Sequence, residues 1–293
     1  MAMRLGLILI GLSFAACSSK KQSPEDLFQV ERMRFTGMGT IWEFEWQDPI
    51  DRPVGAANRR LLEHALRLSL EQWELATSDW SEESELRKLE KRGLKGCHNA
   101  PRKLLRALEL SQLAYRQSEG RFDPAVGALL WARAKKAEGF DSLMIRSDSF
   151  CFSQSPVRLS FGGIVKGAVL GEWAFVALSA GLKNFRMTSG GSSVLLGPGA
   201  SQFWDESKMF GQKPGQMLSI SRSESGSDAS KTIWDPRSGR IIPQSVKAAV
   251  ACVGDSEDFE SLVRLGALTD AWSTVRVVDP SWALPAACKP VPR

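Results

Sequence analysis

Hydrophobic and polar positions repeat with two different periods along this chain, and each change of period marks an element. Residues 30–46 alternate loosely and are rich in aromatics, which predicts an opening pair of strands. Inside them, Phe35-Thr36-Gly37-Met38-Gly39-Thr40 is a glycine-punctuated turn where a flat ligand can approach the backbone. From residue 59 to about residue 77 the period turns helical. Leu62, Leu66, Leu70 and Trp73 share one face, Glu63, Arg67 and Glu74 lie elsewhere, and Asn58 is the predicted cap. That stripe reads as core. A second helix is predicted over residues 101–118, capped by Asn99 and stopped by Gly120, with Leu104, Leu108, Ser111 and Tyr115 on one stripe. A third runs from Gly162-Gly163 to Ala180. Residues 185–188 and 194–196 read as strands flanking Gly190-Gly191, and residues 232–239 as a strand end entering a turn.

Ahead of these elements the pattern differs. Arg4 is followed by the apolar run Leu5-Gly6-Leu7-Ile8-Leu9-Ile10, too short to span a bilayer, and the run closes on Phe14-Ala15-Ala16-Cys17. This start resembles a bacterial lipoprotein signal, in which Cys17 becomes the lipidated first residue. The expected organisation is a signal and lipidation site over residues 1–17, a polar tether over 18–29 and one domain over 30–293. The expected location is the periplasm, held to a membrane by the lipid. No acid follows Cys17 directly, which by analogy points to the outer membrane.

Composition narrows the chemistry. At 43% hydrophobic and 24% charged, 293 residues suffice for one large core or two lobes sharing a cleft. Lys and Arg number 38 against 33 acids, a small and dispersed surplus, so nucleic acid is not an expected partner. Beyond Cys17, four cysteines remain: Cys97, Cys151, Cys252 and Cys288. No CxxC pair exists, and His64 and His98 are the only histidines, which disfavours zinc. An oxidising compartment would allow one or two disulfides, with three pairings open. Cys97-His98, flanked by Gly93, Gly96, Asn99 and Pro101, reads as a loop with a surface cysteine.

Four stretches carry candidate chemistry. Ser78-Asp79-Trp80-Ser81-Glu82 places an aromatic in a polar loop, as a lid residue or a packed anchor, with Asp79–Glu82 resembling a capping box. Gly120-Arg121-Phe122-Asp123-Pro124 is a loop bearing an aromatic and an acid. Gly162-Gly163 precedes a helix whose N-terminus favours an anion such as pyrophosphate, with Lys166 in its first turn. Neither GxGxxG nor GxxxxGK[ST] is present. Finally, in Thr269-Asp270-Ala271-Trp272-Ser273-Thr274, Asp270 and Thr274 are a helical turn apart and share a face. Alone, this hexapeptide reads as an acid opening a short helix with a back-bonded threonine. With the rest of the chain it reads as hard oxygen donors for Mg²⁺ or Ca²⁺.

Taken in order, these segments resemble the FAD:protein FMN transferases, the ApbE family of flavin transferases. The matching pieces are Met38-Gly39-Thr40, residues 80–86, Gly120-Arg121-Phe122-Asp123-Pro124 with Val126-Gly127, Gly162-Gly163-Ile164-Val165-Lys166-Gly167, Gly190-Gly191, Asp235-Pro236-Arg237-Ser238-Gly239, and Asp270-Ala271 with Thr274. The resemblance implies an α+β fold with mixed or antiparallel sheets, flanking helices and a cleft between two lobes. It implies Mg²⁺-dependent transfer of FMN from FAD to a Thr or Ser hydroxyl of an acceptor protein, releasing AMP. Asp270, Ser273, Thr274 and the Val165 carbonyl would hold the metal. Met38, Trp80, Arg121, Phe122, Asp123, Gly162, Lys166 and Ala168 would surround the flavin nucleotide, and Asp270 and Thr232 stand at the catalytic positions.

The chain also departs from the family pattern. Thr232 stands where a His is common, Ala168 where a Tyr is common and Ser160 where an Asp is usual. Thr188 and Ser192 replace the Asn and Asp around Gly190-Gly191. The stretch from Val253 to Asp270 is longer, with an added apolar segment at 259–268. Two alternatives follow from these changes: a non-catalytic lipoprotein that binds a nucleotide or a protein, and an FAD pyrophosphatase.

Overall fold

The structure, a computed structural model, describes residues 28–49, 53–131, 137, 139–153, 158–226 and 232–291. The expected signal, Cys17 and the tether up to residue 27 lie outside the described residues. Strands β1 (Phe28–Gly37) and β2 (Thr40–Pro49) form the expected pair, and β1 takes in Phe28 and Gln29 from the segment read as tether. Gly37 pairs with Thr40 across a two-residue turn, Met38-Gly39, whose φ angles are 51° and 70°. Two successive left-handed residues give a hairpin turn whose twist matches that of the strands.

Helix α1 (Ala56–Thr77) buries the expected stripe of Leu62, Leu66, Leu70 and Trp73. It starts behind Gly55 without a side-chain cap, so Asn58 lies inside the helix and does not cap it. Helix α2 (Glu85–Arg92) is capped by Ser84, whose Oγ accepts from the Arg87 N–H at 3.1 Å. The box expected at Asp79–Glu82 is therefore not the one used. Strand β3 (Gly96–Asn99) absorbs Cys97, His98 and Asn99, where a loop was expected. Asn99 is then unable to cap α3 (Arg102–Gln117), which begins behind Pro101. Proline suits a helix start because its fixed φ is helical and it has no N–H to leave unpaired.

The remaining elements are α4 (Gly127–Trp131), β4 (Leu143–Ile145), β5 (Ser149–Phe152), α5 (Val165–Ser179), β6 (Phe185–Ser189), β7 (Ser193–Leu196), α6 (Asp205–Phe210), β8 (Met217–Glu224), β9 (Trp234–Asp235), β10 (Arg240–Ile241), β11 (Lys247–Gly254), α7 (Phe259–Val278) and β12 (Cys288–Pro290). A seven-stranded sheet has the order β1-β2-β6-β7-β8-β11-β12, and every neighbouring pair in it is antiparallel. A smaller sheet has the order β3-β5-β4, and β9 pairs with β10. Of the three disulfide pairings open from sequence, the structure has Cys97–Cys151 and Cys252–Cys288. Each joins directly opposed residues, on β3 and β5 and on β11 and β12. Cys97 is thus bonded, not a free surface thiol.

The main core lies between the large sheet and its helices. Trp42 and Phe35 from the first hairpin meet Trp173 of α5 at ring-centroid distances of 5.5 and 5.1 Å. The Trp173 indole N–H donates to the Leu66 carbonyl at 3.0 Å, joining α5 to α1. Helix α5 is apolar on nearly all sides because it is covered on nearly all sides. Its deepest contact is with α7, where both backbones meet at glycines. A methyl at Gly167 would lie 2.5 Å from the Gly266 carbonyl carbon, and one at Gly266 would lie 2.8 Å from that of Gly167. One at Gly171 would lie 2.6 Å from Val263 Cα. The added apolar segment 259–268 is the first half of α7, and it supplies this contact.

Gly266→Ala must therefore push two helices apart. The expected loss of stability is about 1–3 kcal/mol or more, the usual cost of overpacking a close contact. Gly162→Ala, where the added methyl would meet only Ser160 Oγ at an ordinary 3.8 Å, serves as a comparison and is expected to cost less. Urea unfolding of both variants measures the difference.

Candidate active site

The α5–α7 contact determines where Asp270 sits. Asp270 follows Gly266 by one helical turn, so the crossing brings its carboxylate against the first turn of α5. Asp270 Oδ2 accepts from the Gly167 N–H at 3.3 Å, capping α5 with a side chain from another helix. Oδ1 accepts from the Ser221 hydroxyl at 2.8 Å and from Ser193 at 3.4 Å. Asp270 is 3% exposed, and among the described residues no ammonium or guanidinium forms an ion pair with it. It lies in the second half of a 20-residue helix, not at the start of a short one.

Above this carboxylate opens a cavity of about 870 Å³. Its walls bring together segments far apart in sequence: Arg121–Asp123, Gly162-Gly163, Lys166, Gly190-Gly191, residues 222–224, Thr232 and, from α7, Asp270 and Thr274. Gly163 permits the close approach of two of them. A side chain there would lie 3.0 Å from Thr274 Oγ1 and 3.3 Å from the Phe122 ring. Gly190 has φ of 57°, and its N–H donates to the Ile41 carbonyl at 2.8 Å, which sets the first hairpin beside the cavity rim.

The segment ahead of the glycines is held by buried polar groups. Glu90 accepts from the Leu159 N–H at 2.7 Å, and burial pushes its carboxyl above the ordinary range. Ser160 donates to Asp79 at 2.7 Å. On the far wall, Asp123 accepts from the Ala125 N–H at 2.8 Å and opens a 3₁₀ turn at Pro124–Val126. Burial raises its carboxyl to about 6. Lys166 stands in the first turn of α5, where the helix dipole disfavours a cation, and among the described residues it has no ion-pair partner. An anionic ligand would relieve that arrangement.

Of the residues marked from sequence, Arg121, Phe122, Asp123, Gly162, Lys166, Thr232, Asp270 and Thr274 line the cavity. The Arg121 guanidinium is already engaged with Asp279 at 2.8 Å and Glu119 at 2.9 Å. Ser273 is fully buried, off the wall, and donates to the Asp270 carbonyl at 2.8 Å. Val165 and Ala168 are buried in α5 and also off the wall. Met38 occupies the hairpin turn, packs against the main core and does not line the cavity. Trp80 is 62% exposed, so it is not a packed anchor. Reading the sequence missed Ser193, Ser221 and Ser223. The signal was present in Ser219-Ile220-Ser221-Arg222-Ser223, where every second residue of a strand is serine.

The donor set bears on a metal. Among the described residues no cluster of three or more His, Cys, Asp or Glu exists. A single buried carboxylate beside a hydroxyl suits Mg²⁺, which commonly takes one or two carboxylates and completes its shell with water and phosphates. Asp270 and Thr274 fit that pattern.

Comparison with known proteins finds the same fold in solved structures. The flavin transferase ApbE from Vibrio cholerae has a similar structure, with TM-score 0.64 and 17% identity, covering 86% of this chain and 87% of that one. The apo flavinyl transferase ApbE of Pseudomonas stutzeri gives 0.62 and 17%, covering 84% of each chain. The ApbE protein of Thermotoga maritima gives 0.59 and 16%, covering 85% and 87%. At these identities the likeness is one of fold. Comparison with curated protein sequences finds no match. The profile of the ApbE family matches residues 38–207, more than half of the sequence, and the chain therefore belongs to the ApbE family.

Proposed function

We propose that the protein transfers FMN from FAD to a Thr or Ser hydroxyl of an acceptor protein, releasing AMP, with Mg²⁺ as the metal. The observation that carries this reading is the meeting of Asp270 and Thr274 with the Gly163 turn and the start of α5 in one cavity. The acceptor oxygen forms a bond to the FMN phosphorus as the bond to the AMP oxygen breaks; AMP leaves with that oxygen, and the hydroxyl proton is released to solvent. Asp270 and Thr274 would hold the metal, and Ca²⁺ shares their donor chemistry. When bound, the ion neutralises charge on the pyrophosphate oxygens. Lys166 and the first turn of α5 draw the phosphates to the same end of the cavity. Phe122 offers a flat apolar surface to a ring, and Gly162-Gly163 lets the nucleotide approach the backbone.

We also propose a periplasmic, lipid-anchored location. Cys17 at the end of a short apolar run supports it, as do the two disulfides, which form and persist in oxidising compartments.

Purified protein with FAD, Mg²⁺ and an acceptor protein is expected to give a fluorescent flavin band on a denaturing gel. EDTA should abolish the band, and Asp270→Asn should slow its formation on the order of 100-fold, as loss of a charge-stabilising group does. FMN and AMP formed without acceptor would identify a pyrophosphatase instead. Absence of metal-dependent FAD binding would leave a scaffold.

Asp123 gives the reading a pH signature. Burial keeps its carboxyl protonated below about pH 6. A nucleotide that donates a hydrogen bond to Asp123 is held more strongly by the ionised form, so FAD binding should strengthen as pH rises through that value. Affinity at pH 5 is expected to be about tenfold lower than at pH 7, because roughly one tenth of the groups are then ionised. In Asp123→Asn this dependence should disappear, and calorimetric titration at several pH values tests both statements.

A further inference from the structure

The hydroxyls around Asp270 form a connected chain rather than a scatter. Ser193 of β7 and Ser221 of β8 are directly opposed across the sheet, and both reach Asp270 Oδ1. The Ser273 hydroxyl lies 3.2 Å from that of Ser221 and 2.6 Å from that of Ser223. Ser223 lies 3.1 Å from Thr274 Oγ1. With the Ser273 hydroxyl turned to Ser221 rather than to the Asp270 carbonyl, the chain runs from Asp270 through Ser221, Ser273 and Ser223 to Thr274, joining the two side chains assigned to the metal. Ser221 is 1% exposed and Ser273 fully buried, so the bonds at the Asp270 end are shielded from water, while Ser223 and Thr274 face the cavity.

We propose that Ser221 and Ser223 of β8 are positioning residues for the metal end of the site. Ser221 fixes the carboxylate plane of Asp270, and Ser223 fixes the rotamer of Thr274. The physical need is clear. A carboxylate with only neutral donors around it and no cation partner can rotate, and a threonine hydroxyl in a helix can turn back to the carbonyl one turn earlier. Either movement withdraws a donor from the cavity. The inference rests on the function proposed above and adds to it that the large sheet, through a row of serines, orients what α7 carries. Outer-shell partners of this kind typically set metal affinity within about 10- to 100-fold.

The test compares Ser221→Ala, Ser223→Ala and Ser219→Ala in the full protein. Ser219 is the next serine on the same face of β8 and lies outside the chain. Calorimetric titration with FAD at fixed Mg²⁺, and with Mn²⁺ as a paramagnetic probe, reads the metal end directly. Metal-dependent affinity is expected to fall about tenfold or more in Ser221→Ala and Ser223→Ala and to stay unchanged in Ser219→Ala, with urea midpoints of all three close together. Wild-type affinity in Ser221→Ala and Ser223→Ala would overturn the proposal.

A second readout needs no ligand. Hydrogen exchange at the Gly167 amide, which donates to Asp270, should quicken in Ser221→Ala and stay unchanged in Ser219→Ala. Should the wild-type protein bind no metal-dependent FAD, the transferase reading fails. The orienting role of Ser221 is then decided by Gly167 exchange alone, faster in its favour and unchanged against it.

Discussion

The site depends on two helices touching backbone to backbone. Gly167 and Gly171 on α5 and Gly266 on α7 remove the side chains that would otherwise separate the axes. Only at that separation does Asp270, one turn beyond Gly266, reach the first turn of α5 and take the Gly167 N–H. The same approach brings Thr274 against Gly163, so packing and chemistry share one set of contacts. A helix terminus that lacks a local cap is completed by a residue more than a hundred positions away in sequence. The carboxylate is thereby oriented before any ligand arrives.

The large sheet supports that arrangement from the opposite side. Helix α7 lies on β8 and β11, and the serines of β8 meet its polar face. A polar seam of this kind is tolerable inside a core because each hydroxyl both donates and accepts, so the chain satisfies itself. What remains unneutralised is the charge of Asp270. Lys166, Arg222 and Lys247 stand around the same cavity without ion-pair partners among the described residues. Opposite charges held in one cavity but not paired with each other suit a ligand that itself carries negative oxygens together with a cation.

What could be read in advance follows from the range of the interactions involved. The first hairpin was visible because its alternation and its Met38-Gly39 turn are local properties. The pairing of Asp270 with Thr274 was visible because a helix fixes i and i+4. The short strand β3 was not, since Gly96–Asn99 becomes a strand through β5 and the Cys97–Cys151 bond, both distant in sequence. Trp80 was left between lid residue and packed anchor because exposure depends on whether anything returns to cover it. The close crossing of Gly167 and Gly171 with Gly266 was not legible, since the partner glycine lies on a helix distant in sequence. The serines of β8 showed their alternation plainly, yet only the sheet register reveals that Ser193 stands opposite Ser221.

The strands of the large sheet follow one another in chain order from β1 to β12, with the helical body and the small sheet inserted between β2 and β6. A nascent polypeptide can therefore extend this sheet from one edge to the other as it emerges. Helix α7 and the stapled strand β12 come last. Until they arrive, α5 lacks its cap, part of the apolar face lies bare, and no oriented acid stands at the base of the cavity. Competence for ligand capture is thus postponed until α7 and β12 have been made, and a product cut short before them differs in kind rather than degree from one that carries them.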